Sequence, residues 1–187
     1  MTHSQEKWQQ AYGQFYSNII RVYRLIDASL SHTTVDEKGQ KNLDQAGDDI
    51  ARSAIVFLHA TFEAFLRDLA HKRKGTYSTV QEVVTALKGL SINYSDQSKY
   101  LPGIGEMMKR RHKIVHHADL GAGSSEPNRL SYEESVSFTS WFHDVDIFAS
   151  EIVQPHVSPE YASSVESELR KRKAARERFE KQRRSED

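Results

Sequence analysis

Residues 50–69, IARSAIVFLHATFEAFLRDL, decide the fold of this chain. Apolar side chains recur there at three- and four-residue steps, which is the repeat of an α-helix with a buried side. Because their arc is wide, the sequence predicts a central helix that begins at Asp44 or Asp48 and ends near Lys72. The arc consists of Ile50, Ala54, Ile55, Phe57, Leu58, Phe62, Phe65, Leu66 and Leu69.

Four other segments have helical periodicity, and no segment shows the sustained alternation of a half-buried strand. The predicted helices lie at about 5–31, 80–90, 104–118 and 131–154. A last helix follows Ser158, since Ser158-Pro159-Glu160 has the residue types that begin helices. The predicted fold class is therefore all-α, a bundle of four to five helices with a basic C-terminal helical extension. The predicted domain boundary separates residues 1–157 from a tail at 158–187.

Composition removes several functional classes. The chain has 187 residues and no cysteine, which excludes disulfide scaffolds, thiol nucleophiles and thiolate metal sites. The longest apolar run, Ala54 to Leu58, is far shorter than the roughly 18 residues of a membrane span. Residues 1–7 lack the apolar stretch of a signal peptide. We expect a soluble, cytoplasmic protein with no membrane partner.

Charge is balanced overall but unevenly distributed. Lys plus Arg and Asp plus Glu each number 26. Residues 170–184, RKRKAARERFEKQRR, contain nine basic and two acidic side chains, an excess of seven positive charges. Such a run is typical of a solvated helical face, and it can also contact phosphates.

The fourth helix has the densest chemistry, in residues 110–119, RRHKIVHHAD. On a helical wheel Arg111 lies about 20° from Ile104, in the middle of the apolar stripe, whereas Arg110 lies about 120° away and is predicted to stay in water. A guanidinium in an apolar stripe costs several kcal/mol unless an anion meets it. The sequence offers two explanations, an ion pair with Glu63 or Asp68 of the second helix, or an external phosphate.

Metal binding is a weaker interpretation of the same residues. His112 and His116 have the i, i+4 spacing of a two-histidine half-site. A zinc peptidase helix needs glutamate after the first histidine, but Lys113 stands there and would repel the metal. We expect no metal and no cofactor. On the second helix, His59 and Glu63 are interpreted as solvated side chains of its polar flank.

A helical bundle whose fourth helix carries R-H-K-I-V-H resembles the HEPN ribonucleases of toxin–antitoxin, abortive-infection and CRISPR-associated systems. Their signature is R-x(4 to 6)-H with a polar residue after the arginine. Arg111, His112 and His116 match the arginine, the polar position and the histidine. The segment at 60–69 also resembles one that is common in HEPN proteins. Arg110 and His117 fall within the permitted spacings too, so His117 is the reserve candidate.

The resemblance implies a metal-independent endoribonuclease that leaves 2′,3′-cyclic phosphate, with a composite active site at a homodimer interface. It further implies a toxin or phage-defence effector whose partners are its RNA substrate and an antitoxin or defence protein. The implied catalytic residues are Arg111 and His116, with His112, Glu63 and His117 in supporting roles. The predicted RNA contacts are Lys109, Arg110, Lys113, Arg170, Lys171, Arg172 and Lys173.

Two alternatives belong to other functional classes. The first is a non-catalytic binding module with the HEPN fold, in which Arg111 is paired internally. The second is a helical adaptor whose basic tail docks on nucleic acid.

Overall fold

The computed structural model describes residues 3–70, 77–116, 130 and 132–186, and it confirms the all-α fold class. The helices of the described chain are α1 (His3–Ser31), α2 (Gln45–Ala70), α3 (Val80–Gly89), α4 (Leu101–His116), α5 (Tyr132–Val153) and α6 (Pro159–Glu186). Short 3₁₀ turns precede α4 at Ser98–Tyr100 and α6 at Gln154–His156. Two short strands, β1 (Thr33–Val35) and β2 (Lys41–Leu43), connect α1 to α2.

Helix α2 is the central helix, as its wide apolar arc predicts. It packs against α1, α3, α4 and α5, so its buried residues face several directions. The largest fully buried side chains of the core come from α1, α2, α3, α4 and α5 together. They are Phe15, Phe62, Phe65, Phe138, Phe148, Ile19, Ile55, Leu58, Leu66, Leu87, Ile104 and Met107.

The two candidate caps of α2 have different roles. Oδ1 of Asp44 accepts a hydrogen bond from the backbone N–H of Gly47 at 2.8 Å, which is the N-cap interaction. Asp48 lies inside the first turn and is buried. Its carboxylate accepts from Nε of Arg52 at 2.9 Å and from the backbone N–H of Leu130 at 2.8 Å. Asp48 therefore links the central helix to Leu130, which lies two positions before α5.

The hairpin between α1 and α2 was not predicted, because three residues per strand are too few for an alternating pattern. The strands pair antiparallel, with Thr34 opposite Asn42. Oδ1 of Asp36 accepts from the backbone N–H groups of Lys38 and Gln40, and Gly39 has a φ of 78°, which glycine adopts without strain. The hairpin is a local turn structure that contributes buried Leu43 to the core.

The N-terminus of α4 lies tightly against α5. The predicted helix begins at about residue 104, but the observed helix begins at Leu101, so Pro102 and Gly103 belong to its first turn. A β-carbon at Gly103 would lie 1.8 Å from Oδ2 of Asp144, so only glycine permits this approach. The contact fixes the start of the helix that carries Arg111.

Helix α6 packs its N-terminal half against the same core, through buried Val165 and Leu169. Three of its cations then pair with carboxylates of α5. The pairs are Arg172 with Asp146 at 2.5 Å, Lys173 with Glu151 at 2.6 Å and Arg176 with Asp144 at 2.7 Å. The predicted boundary at 157/158 falls just before this helix, yet residues on both sides of it share one core.

The Arg172–Asp146 pair is the most deeply buried of the three. Asp146 has no exposed surface, and burial raises the pKa of its carboxyl to about 6, although the charge of Arg172 acts in the opposite direction. Nη2 of Arg172 also donates to the hydroxyls of Tyr12 and Ser150, at 3.3 and 3.4 Å. These bonds join α6 to α1 and α5. None of the described helices has an apolar stretch long enough to cross a bilayer.

Loss of the buried pair should therefore destabilise the fold strongly. We expect Arg172→Ala to lower the free energy of unfolding by about 3–5 kcal/mol, since it leaves a buried carboxylate without its cation. The matched control is Arg170→Ala, two residues away, because Arg170 is 77% exposed and pairs only with Glu166 of its own helix. That change should cost about 0.5 kcal/mol or less. Urea unfolding measures both, and equal losses would contradict a structural role for the α6 pairs.

Candidate functional site

The candidate site lies at the C-terminal end of α4. Ile104, Met107 and Met108 form the buried stripe of this helix, which packs against α2 and α5. Arg111 continues the stripe one turn later and is half-buried, as the wheel predicted. Val115 lies on the same side of the helix, one turn after Arg111, but it is 45% exposed, so burial of the stripe does not extend through the last turn. We call Arg111, His112 and His116 of α4, together with His59 of α2, the Arg111 site.

Arg111 has a buried donor that meets no acceptor among the residues that the structure describes. Its Nε atom is inaccessible to solvent and makes no hydrogen bond within the described chain. The ion pair expected with Glu63 is absent, because Oε1 of Glu63 accepts from Arg67 at 2.8 Å and from the backbone N–H of Tyr77 at 3.3 Å. Asp68, the other candidate partner, is exposed. The explanation of Arg111 by either ion pair is therefore wrong.

His59 of α2 lies in the interior and is a second polar residue of the Arg111 site. Only 2% of it is exposed, and its Nε2 lies 3.2 Å from the carbonyl oxygen of Tyr77. Because a carbonyl only accepts, Nε2 carries the hydrogen of a neutral ring. Burial lowers the pKa of His59, and the positive charge of Arg111 lowers it further, while Glu63 acts in the opposite direction. Burial and the charge of Arg111 therefore both favour the uncharged imidazole of His59.

The sequence interpretation of His59 as a solvated side chain was wrong, although the sequence contained the signal. On a wheel of α2, His59 lies about 40° from Ile55 and about 20° from Leu66. It therefore falls within the apolar arc and not on its polar flank. Glu63 is half-buried and accepts a hydrogen bond from the backbone N–H of Tyr77, so its interpretation as a solvated side chain was also wrong.

His112 and His116 are exposed on the last turns of α4. Their ring centroids are 4.7 Å apart, with the planes inclined by 45°. No hydrogen bond in the described part of the chain joins His116 to Arg111, which agrees with their separation of about 140° around the helix. The structure thus brings together His112 with His116, whereas Arg111 and His59 are related only through the effect of the arginine's charge on the pKa of the histidine. The reserve candidate, His117, lies outside the described residues.

The described residues contain no cluster of three side chains arranged to hold a metal ion. The two histidines of α4 are a pair without a third ligand from residues 3–70, 77–116, 130 or 132–186. The RNA contacts predicted on α4 differ in exposure. Lys109 and Lys113 are exposed, and Nζ of Lys109 pairs with Glu106 at 2.7 Å.

Arg110 was predicted to stay in water, and this prediction was wrong. Its side chain is only 10% exposed and lies 3.8 Å from Oε1 of Glu134. The wheel gave its angle correctly, but α5 covers that side of α4. Arg110 therefore attaches α4 to α5 and is poorly placed for an RNA phosphate.

The four tail residues predicted to bind RNA divide into two groups. Arg170 and Lys171 are exposed and pair with Glu166 and Glu168 within α6. Arg172 and Lys173 are held by the carboxylates of α5. Only the first group faces solvent in a way that suits a phosphate contact.

No family model, no curated protein and no solved structure matches this chain. The Arg111 site nevertheless has a definite chemical capacity. A half-buried guanidinium without a carboxylate partner can bind an oxyanion, because the missing counter-charge is then supplied by the ligand. The exposed imidazoles of His112 and His116 are of the side-chain type most often used in general acid–base catalysis. Together these groups suit a reaction at a phosphate.

The effect of the Arg111 charge on the pKa of His59 can be measured directly. Removing the positive charge with Arg111→Met should raise the pKa of His59 toward its ordinary value of 6.5, because the imidazolium would no longer be repelled. The exposed cation Arg21 of α1 supplies the control, Arg21→Met, which should leave the titration unchanged. Nitrogen-15 NMR of the histidine rings measures the pKa.

The lowered pKa of His59 also makes the stability of the fold depend on pH. A folded-state pKa below 6.5 means that the unfolded chain binds the proton more tightly. The stability contributed by His59 is therefore present above about pH 6.5 and is lost as the pH falls through the folded-state pKa. If His59 has the same pKa in Arg111→Met as in the unaltered protein, the charge of Arg111 does not act on His59.

Proposed function

We propose that this protein is a metal-independent endoribonuclease of the HEPN type that acts as a homodimer. The observation that carries the proposal is Arg111, whose Nε atom is buried without an acceptor in the described chain. Buried arginines are ordinarily paired, and the cost of leaving one unpaired is several kcal/mol. A bound phosphate would offset this cost, because it supplies the missing negative charge.

RNA contains its own nucleophile, so the protein needs few groups. The 2′-hydroxyl attacks the adjacent phosphorus and loses its proton to a base, while the bond to the 5′-oxygen breaks and that oxygen receives a proton. The products end in a 2′,3′-cyclic phosphate and a 5′-hydroxyl. Arg111 stabilises the charge on the phosphoryl oxygens, and His116 transfers a proton. His112, whose ring lies beside that of His116, supports it.

Assembly as a dimer follows from the direction of the two groups. Arg111 faces the core side of α4 and His116 faces water, so the two do not converge within one chain. A two-fold axis at the end of α4 would place the histidine of one protomer near the arginine of the other. The exposure of Val115 between them supports a contact at this end of the helix.

The exposed cations near the site would bind the flanking phosphates of the substrate. Lys109 and Lys113 lie on the solvent side of α4, and Arg170 and Lys171 on the solvent side of α6. From the resemblance, we further propose that the enzyme is a cytoplasmic toxin or phage-defence effector. Its protein partner would then be an antitoxin or another defence component.

The catalytic assignment is tested by RNA cleavage in EDTA. Arg111→Ala and His116→Ala should each lower the rate by about 100-fold or more, while helicity is retained, because each removes a group used at the reacting phosphate. Arg21→Ala and His32→Ala are controls of the same residue types outside the site. Their rates should equal that of the unaltered protein, and the products should carry 2′,3′-cyclic phosphate.

Each other result has a defined meaning. Full activity in Arg111→Ala would overturn the proposal. Full activity in His116→Ala together with loss in His117→Ala would move the proton transfer to His117. Cleavage that EDTA abolishes would show that the reaction needs a metal.

The composite site is tested by size exclusion with light scattering and by mixing variants. The protein should be a dimer at micromolar concentration. Mixing Arg111→Ala with His116→Ala should restore partial activity, since the heterodimer keeps one intact arginine and one intact histidine that face each other across the axis. A strict monomer, or no recovery despite demonstrated subunit exchange, would contradict the composite site.

A further inference from the structure

Helix α6 and the start of α4 lie on two sides of an open cleft. The cleft has a volume of about 400 Å³. Its lining comes from the 3₁₀ turn before α4, from α5 and from α6, through Lys99, Tyr100, Ile147, Lys173, Arg176 and Glu177. At this place the start of α4 is connected to α6 through polar side chains, several of which bind carboxylates of α5.

Glu151 of α5 binds both sides of the cleft. Its Oε1 accepts a hydrogen bond from the hydroxyl of Tyr100 at 3.2 Å and pairs with Nζ of Lys173 at 2.6 Å. Burial and the negative charge of Glu151 raise the pKa of Tyr100 to about 12, so the phenol keeps its hydrogen at neutral pH. One carboxylate oxygen therefore joins the turn before α4 to α6.

Asp144 of α5 makes a second connection of the same kind. Its Oδ1 accepts from Nη1 of Arg176 at 2.7 Å. Its Oδ2 is the atom that a β-carbon at Gly103 would meet at 1.8 Å, so this oxygen lies against the backbone of the first turn of α4. The Arg176 guanidinium also lies 5.9 Å from the ring centroid of Tyr100, a cation–π contact between α6 and the turn before α4.

The two carboxylates that contact the start of α4 are thus also bound by cations of α6. Both are largely buried, and a buried carboxylate that loses its cation must find other donors or water. Removing the α6 cations should therefore move Asp144 and Glu151 away from α4. Arg111 lies eight residues after Gly103, about 12 Å further along the same helix, so a shift at the start of α4 is transmitted to it.

We propose that α6 is a brace for the helix that carries Arg111 and His116, and that Asp144 and Glu151 are the positioning residues through which it acts. Lys173 and Arg176 then control cleavage through the position of α4, without touching RNA. The inference rests on the proposed function, because the side chains that are positioned are those assigned to the reaction at the phosphate.

The test replaces the two α6 cations in the full-length protein in two ways. Lys173→Gln with Arg176→Gln removes both charges, and Lys173→Arg with Arg176→Lys exchanges the cations but keeps their charges. We call these the neutral variant and the exchanged variant. The matched control is Arg178→Gln, because Arg178 is an exposed cation of the same helix, two residues after Arg176.

The first measurement is hydrogen exchange at the amides of residues 105–108, whose hydrogen bonds close the first turn of α4. The neutral variant should speed their exchange by about 5-fold or more, because local opening becomes easier once the carboxylates lose their cations. Exchange in the middle of α2 should be unchanged, which separates a local effect from a loss of global stability. The exchanged variant and Arg178→Gln should stay within about 2-fold of the unaltered protein.

The second measurement is RNA cleavage, with kcat and the salt dependence of RNA binding determined separately. The neutral variant should lower kcat by about 10-fold or more, since a misplacement of about 1 Å at a reacting group can cost about 100-fold. Its salt dependence should be unchanged. If Lys173 and Arg176 instead bind phosphates, the slope of log K against log salt should fall by about 1.4 for single-stranded RNA. That fall with an unchanged kcat would overturn the inference.

If the neutral variant does not fold, Tyr100→Phe provides the test from the other side of the cleft. It removes only the hydroxyl that donates to Glu151 and keeps the ring. Exchange at residues 105–108 should then rise by about 3-fold or more, as expected for the loss of one hydrogen bond. Unchanged exchange at these amides in Tyr100→Phe and in a folded neutral variant would contradict the brace. So would an increase that is equally large in α2.

The two measurements separate the inference from the proposed function. If exchange at the start of α4 responds to the α6 cations but no form of the protein cleaves RNA, the brace stands and the ribonuclease proposal fails. If RNA is cleaved and exchange at the start of α4 ignores the α6 cations, the ribonuclease proposal stands and the brace is wrong.

Discussion

Burial of the wide apolar arc of α2 is the constraint on which the rest of this structure depends. An arc of that width cannot be covered by one neighbour, so α1, α3, α4 and α5 all pack against the same helix. This packing brings α4 against α2. The position of Arg111 at the end of the α4 stripe is therefore a consequence of how the core is closed.

The arginines of the interior differ in how their charge is balanced. Arg172 has a carboxylate, two hydroxyls and the ring of Tyr16 as partners. Arg110 lies beside Glu134. Arg111 has a buried Nε–H without an acceptor, and no carboxylate of the described residues forms an ion pair with it. The proposed function supplies an anion for that charge, which is why the function is sought there.

Much of the fold could be predicted from the sequence, because periodicity and caps are local properties. The central helix and the position of Arg111 in the α4 stripe follow from residue spacing, which also limited the cap of α2 to Asp44 or Asp48, and the structure shows that Asp44 is the cap. Spacing gives a direction on one helix but not the element that lies there. For that reason Arg110 was placed in water although α5 covers it, and the docking of the α6 cations onto α5 could not be foreseen. His59 was within reach of the same wheel argument.

The central claim is that the Arg111 guanidinium receives a phosphate of RNA. A crystal structure of the protein with a short 2′-O-methyl RNA, which cannot be cleaved because its nucleophile is blocked, tests it most directly. We predict a phosphate oxygen within hydrogen-bond distance of the Arg111 guanidinium, with a histidine of a second copy beside the same phosphate. An RNA bound elsewhere, with Arg111 turned to a carboxylate of its own chain, would contradict the account.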